Sequence, residues 1–249
     1  MNISVSKELL KDIIKDLDDL NKQNVVKVTV PSSGKELGFE LFNVSQHKDL
    51  LKSAFEGYEG VIRSSAIFND IIINNSESEY DFSLADRSYI LTQLRKESLS
   101  SKYIVGSKEY DLNDLPEPDF DFDYSSDVEY KGINVKVKVP SLTRDTIVAK
   151  KLISEISKLN EKQRETDAVN IVLTYEIIKF VESVEVGENV FELNNFNLYE
   201  SKKLIDSLPL KLNNMIVEAI SEFRKQEEKN ITFDDGVAVE IDASFLSSD

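Results

Sequence analysis

The chain has 249 residues, 46 Asp and Glu against 30 Lys and Arg, and a formal net charge of −16. That charge favours solubility and repels phosphate backbones, which argues against nucleic acid as a partner. The absence of cysteine excludes disulfides, thiolate metal sites and cysteine nucleophiles, and it fits a reducing compartment.

In chain order, Leu9, Leu10, Ile13, Ile14, Leu17 and Leu20 recur at helical spacing and predict an amphipathic helix over Ser6 to Asn21, capped by Ser4 or Ser6. Its apolar stripe is expected in the core, with a docking face for a partner helix as the other reading. Acids interrupt the apolar residues, so this stretch reads as neither a signal peptide nor a membrane anchor. No later run approaches the length needed to span a bilayer.

Val26, Val28 and Val30 alternate as in a half-buried strand, Pro31-Ser32-Ser33-Gly34 supplies a turn, and Leu37, Phe39 and Leu41 form the return strand. Ser45 is the expected cap of the next helix, which Gly57 and Gly60 interrupt. Val61 to Asn74 reads as a helix in preference to a strand at Ile71-Ile72-Ile73. Asp81 to Glu97 is predicted helical, with Ser83 and Asp86 spaced as a capping box and Arg95 and Lys96 placed to suit the helix dipole. Tyr103 to Tyr110 predicts a hairpin turning at Gly106.

Asp111 to Tyr130 (DLNDLPEPDFDFDYSSDVEY) has two prolines, many acids and no basic residue. It reads as an acidic linker between two halves, residues 1–110 and 131–249, with Phe120 and Phe122 lying against a core. After it, Ile133, Val135, Val137 and Val139 alternate strictly and lead into Pro140-Ser141. VKVTVPS in the first half and VKVKVPS in the second suggest two related halves, although seven residues do not establish a duplication. Helices are predicted over Thr146 to Leu159 and Asp167 to Val184, joined by a charged connector, followed by a hairpin from Val184 to Leu193 through Gly187. Asn197 caps a helix to Leu208, Pro209 starts another, and a hairpin across Asp234-Asp235-Gly236 closes the chain. The expected fold class is α+β, with short β-hairpins packed against amphipathic helices.

Chemistry is sparse. His47 is the single histidine and reads as a surface residue. Gly34 in PSSGKE lacks the leading glycine and spacing of a phosphate loop. Asp119, Asp121 and Asp123 resemble the start of a calcium loop, but the sequence lacks the glycine and terminal glutamate that such a loop needs. No carboxylate pair is singled out as acid and base. The expectation is a non-enzymatic protein without cofactor or metal. Phe120, Phe122 and Tyr124, aromatics in an acidic field, are its candidate partner-binding residues.

Several ordered segments resemble one family. They are Val30-Pro31-Ser32-Ser33-Gly34-Lys35 with Phe39 and Leu41-Phe42, the helical pattern Asp86…Tyr89-Ile90…Leu94-Arg95…Ser98, the strand Val135 to Pro140, and the late segment Leu204-Ile205-Asp206-Ser207-Leu208-Pro209. Together they are similar to the baseplate hub assembly proteins of T4-like contractile-tailed phages. Some members carry cysteine pairs able to hold zinc; their absence here means that no structural metal carries over. The resemblance implies a viral protein made in the host cytoplasm, with phage baseplate hub proteins as partners and no membrane association. It implies an assembly factor or a permanent hub component, leaves self-association open, and assigns no catalytic residue.

Overall fold

The computed structural model describes residues 10–17, 24–195, 197–242 and 244–246. Residues 10–17 form helix α1; the rest of the predicted first helix, with Ser4 and Ser6, lies outside the described residues. Leu10, Ile13, Ile14 and Leu17 are between 47% and 56% exposed. The stripe is therefore not part of the core, contrary to the expectation. Periodicity identifies which face of a helix is apolar, but it does not supply the neighbour that would bury it.

Strand β1 (Val25–Thr29) pairs antiparallel with β2 (Glu36–Glu40), placing Val28 and Phe39 in the interior. At the corner between them the Gly34 amide donates to the Val30 carbonyl at 2.8 Å, with Gly34 at φ +64°, a conformation open mainly to glycine. Helix α2 (Val44–Ala54) is capped by Asn43 and not by Ser45. The Asn43 side chain accepts from the Gln46 amide while the Gln46 side chain accepts from the Asn43 amide, at 3.1 and 3.0 Å. Two backbone donors are satisfied together, which a serine two residues later could not do.

Helix α3 (Gly57–Asn75) includes the Ile71 to Ile73 run, as expected. The break expected after α2 is present, with α2 ending at Ala54 and α3 beginning at Gly57, while Gly60 lies inside α3. A side chain at Gly60 would place Cβ 2.0 Å from the Ser53 carbonyl oxygen, so glycine allows α2 and α3 to pack closely, and Ser53 and Ser64 hydroxyls meet there at 2.6 Å. A 3₁₀ turn (Leu84–Asp86) leads into helix α4 (Arg87–Ser98), with the Ser83–Asp86 capping box formed. Strands β3 (Lys102–Val105) and β4 (Lys108–Asp111) form the hairpin through Gly106.

The second half is built on a four-stranded antiparallel sheet, β5 (Ser125–Tyr130), β6 (Ile133–Lys138), β7 (Val181–Val186) and β8 (Asn189–Glu192), in sequential order. Thus the last third of the predicted linker is an edge strand, hidden in the sequence by its acids and serines. Val128, Val135, Val184 and Phe191 stand in one row across the sheet. The three valines are buried, while Lys136 of the opposite face pairs with Glu182 at 2.7 Å, the period-two division of a sheet covered on one side.

Helix α5 (Leu142–Ile156) starts four residues before the predicted start, because Ser141 caps it by accepting from the Arg144 amide. Helix α6 (Glu161–Phe180) takes in most of the predicted connector, capped by an Asn160–Gln163 box, and gives way directly to β7 at Val181. Polar side chains had masked both starts. Helices α7 (Leu198–Asp206), capped by Asn197, and α8 (Leu210–Lys229) follow, with Pro209 as the cap residue of α8. Leu212, Ile216, Ile220 and Phe223 of α8 are buried at helical spacing, and α8 packs on β5 and β6. The predicted closing hairpin is reduced to a single bridge between Thr232 and Ala238. One cluster of buried side chains joins Val28 and Phe39 to Val135 and Phe223. The fold class is α+β.

Candidate functional site

The two Val-Pro-Ser corners converge on the segment Phe82 to Asp86. From the first corner, Ser32 donates its backbone amide to Asp86 Oδ1 at 2.7 Å and its hydroxyl to Oδ2 at 2.9 Å. The Ser83 amide donates to the same Oδ2 at 2.9 Å. From the second corner, the Pro140 carbonyl accepts from the Leu84 amide and the Leu142 amide donates to the Phe82 carbonyl, both at 2.8 Å. The corners continue differently: the first turns back into β2, and the second enters α5.

Asp86 is fully buried. Burial pushes its carboxyl up to about 6, against the lowering pull of the Ser32 and Ser83 hydrogen bonds, and the Glu227 charge adds to the rise.

Beside this junction opens a cleft of about 910 Å³. Ser32, Tyr80 and Ser141 line it from the junction, Phe122 and Tyr124 from the segment before β5, and Lys138, Arg144 and Lys179 supply its cations. The predicted aromatic residues therefore separate. Phe122 packs edge-on against Tyr124, centroids 4.8 Å apart, and reaches Phe223 at 6.5 Å. Tyr124 is buried, and burial pushes its hydroxyl up to about 12. Phe120 remains 41% exposed and is not among the residues that line the cleft.

The cations are not equivalent. Lys138 lies 3.6 Å from Glu182. Lys179 donates to Asp145 Oδ1 at 2.8 Å within a buried knot: Asn69 Nδ2 donates to Asp145 Oδ2 at 2.8 Å, and Arg87 stands 3.5 Å from that oxygen. Burial alone would raise the Asp145 pKa, but the charges of Lys179 and Arg87 and the hydrogen bonds from Lys179 and Asn69 outweigh it and hold the carboxyl below its ordinary value. Arg144 has no such arrangement. Its Nη2 is sealed from solvent without a hydrogen-bond partner among the described residues, and burial lowers its pKa.

Sequence reasoning missed Arg144 and the Asp145 knot, since a cation and an acid in a helical stretch read as solvated. Recognition of Ser141 as the cap would have placed Arg144 in the first turn of α5.

The acidic run that invites a calcium reading is engaged locally. Asp119 Oδ1 accepts from the Asp121 amide at 3.1 Å, and Asp123 Oδ1 accepts from the Ser125 amide and hydroxyl at 2.9 and 2.8 Å. Among the described residues no group of three or more acids and histidine is placed to hold a metal ion. His47 is half-buried and not fully on the surface; its Nε2 is enclosed without a partner among the described residues. No helix among the described residues is long and apolar enough to cross a membrane.

A model of the T4 bacteriophage base plate protein family matches residues 22–234. The chain belongs to that family. No curated protein and no solved structure matches it. Three residues of the helical pattern that carried part of the resemblance, Asp86, Arg95 and Ser98, are structural clamps. Asp86 ties α4 to the first corner. Arg95, buried, donates Nε to the Phe245 carbonyl at 2.9 Å and Nη1 to the carbonyls of Ser100 and Lys102. Ser98 Oγ accepts from the Phe42 amide at 3.0 Å. Helix α1 precedes the matched region of this T4 base plate family member.

Proposed function

We propose that this member of the T4 base plate family is a non-enzymatic assembly factor of the phage tail baseplate hub. It binds hub proteins in the host cytoplasm through the cleft lined by Phe122 and Tyr124, with exposed Phe120 extending the contact. The observation that carries the reading is the cleft itself: it combines buried aromatics with polar and charged side chains, as protein recognition sites do. The organisation into halves 1–110 and 131–249, with 111–130 between them, belongs to this proposal, since the cleft takes residues from both sides of that segment.

A permanent place in the virion baseplate is the second reading, favoured by the family description, which names a base plate protein. Quantitative mass spectrometry of purified particles separates the two. An assembly factor is absent or far below hub stoichiometry, whereas one copy per hub symmetry unit overturns that role. The extension of the contact beyond the cleft is tested by Phe120→Ser. Capture of baseplate proteins from infected cells by the tagged variant should fall at least tenfold while its melting temperature stays unchanged. Capture at the wild-type level removes Phe120 from the site.

A further inference from the structure

Helix α2 carries apolar side chains outward as well as inward. Leu50 and Ser53 are buried, Ser53 against Ser64 of α3. On the solvent side Val44, Leu51 and the C-cap residue Phe55 are 69%, 38% and 89% exposed. Positions i, i+7 and i+11 share one face at about 3.6 residues per turn, so these three form one stripe, with Lys48 between Val44 and Leu51. Contiguous exposed apolar surface of this kind marks a contact site. Helix α1 carries a second stripe, Leu10, Ile13, Ile14 and Leu17, also exposed. The borders of the two stripes are complementary. Exposed Lys48 and Lys52 run along one side of the α2 stripe, and exposed Asp12 and Asp16 along one side of the α1 stripe, each pair four residues apart. None of these four charges has an ion-pair partner among the described residues.

We propose that α1 of one copy of this chain packs on the outer face of α2 of a second copy, and that the exchange is reciprocal. The chain's own α1 leaves the α2 stripe exposed, and a second copy brings an α1 with the matching borders. With the two helices parallel, the Asp12–Asp16 border meets the Lys48–Lys52 border. The antiparallel arrangement instead sets Lys11 and Lys15, on the other border of α1, against the same lysines. A chain of net charge −16 repels its own copy at large, so a contact between copies needs local cations such as these. The lysine stems also extend the apolar surface beside the stripe. A two-fold exchange makes the contact twice, which matters because α1 is short and specific interfaces begin at roughly 1,000 Å². The pairing is independent of the cleft.

Sedimentation velocity of the full chain, from micromolar to submillimolar concentration, tests the exchange. Wild type should pass from monomer to dimer as concentration rises, and Phe55→Ser should weaken the dimer about tenfold or more. Asp12→Lys with Asp16→Lys should also leave a monomer. Adding Lys48→Asp and Lys52→Asp to that variant should restore the dimer, because the charges are exchanged and not removed. A fourfold variant that melts as wild type does and stays monomeric overturns the pairing of the two borders. If the aspartates at 48 and 52 unfold α2, Phe55→Ser carries the test alone. A wild type that is monomeric throughout overturns the second copy as occupant, and so does a dimer that Phe55→Ser leaves unchanged. In a monomer, loss of baseplate-protein capture by Phe55→Ser assigns the α2 face to a hub protein instead. A melting temperature lowered by Phe55→Ser in a monomer assigns it to the chain's own α1.

Discussion

Ser32 and Asp86, fifty-four positions apart, are joined by two hydrogen bonds, from the Ser32 amide to Asp86 Oδ1 at 2.7 Å and from its hydroxyl to Oδ2 at 2.9 Å. One fully buried carboxyl thereby holds the corner of the first hairpin and, through the Ser83 amide at 2.9 Å, the start of the central helical segment. It is both the acid of the Ser83–Asp86 capping box in its own turn and the tie to a distant one.

The raised pKa of Asp86 sets a pH dependence with a definite sign. Between its ordinary value of 3.8 and its folded value of about 6, the folded state keeps a proton that the unfolded chain has released. Stability therefore falls as pH rises through that window and levels off above it, by about 3 kcal/mol in all from this group. Denaturant titrations of wild type and Asp86→Asn at pH 4, 5, 6 and 7 should show the difference between them shrink in that direction. Asp86→Asn remains the less stable protein at pH 4, because its amide presents donors where Ser32 and Ser83 also donate.

Asp145 behaves in the opposite sense. Its pKa is depressed, so its contribution is present above the unfolded carboxylate pKa and is lost as pH falls through the folded value. Asp145→Ala leaves Lys179 and Arg87 without their shared partner in the interior and should cost about 3 kcal/mol at pH 7, read as a lower denaturation midpoint with an unchanged slope.

Gly60→Ala tests the contact between α2 and α3. The new Cβ meets the Ser53 carbonyl oxygen at 2.0 Å, and backbone cannot step aside as a flexible side chain would. A loss of about 1–3 kcal/mol is expected, whereas the better helix propensity of alanine would otherwise give a gain. Equal or higher stability would mean that the two helices separate freely.

The exposed stripe of α1 predicts tolerance. Ile13→Gln together with Leu17→Gln should change the global melting temperature by less than about 2 °C, since neither side chain contributes to the buried cluster. A larger drop would place the stripe back in the core.

Much of the fold was legible because it rests on local chemistry. The Ser83–Asp86 box, the Asn197 cap, the turn glycines at 34 and 106, and the strict alternation of β6 each declare themselves within a few residues, since the backbone groups concerned are satisfied by neighbours in sequence. The failures have one cause. Strand β5 (SSDVEY) looks like a linker because its pairing with β6 comes from the partner strand and not from its own composition. The starts of α5 and α6 were hidden by polar first turns, where serine, asparagine and acids are favoured as caps. The candidate site was half legible: Phe122 and Tyr124 were marked by composition, while Arg144 was not.

By itself the sequence determined the α+β class, most of the helices and turns, the lack of thiol chemistry, and a likeness to phage baseplate proteins that the family match bears out. These follow from periodicity, turn stereochemistry and residue inventory, which act over a few positions. Only the tertiary structure decided that the two Pro-Ser corners converge on the segment Phe82 to Asp86, that the α1 stripe is exposed, and that Phe120 stands apart from the cleft that Phe122 and Tyr124 line with Arg144. Burial and pairing are properties of what lies opposite a side chain, and here that neighbour often lies far away along the chain.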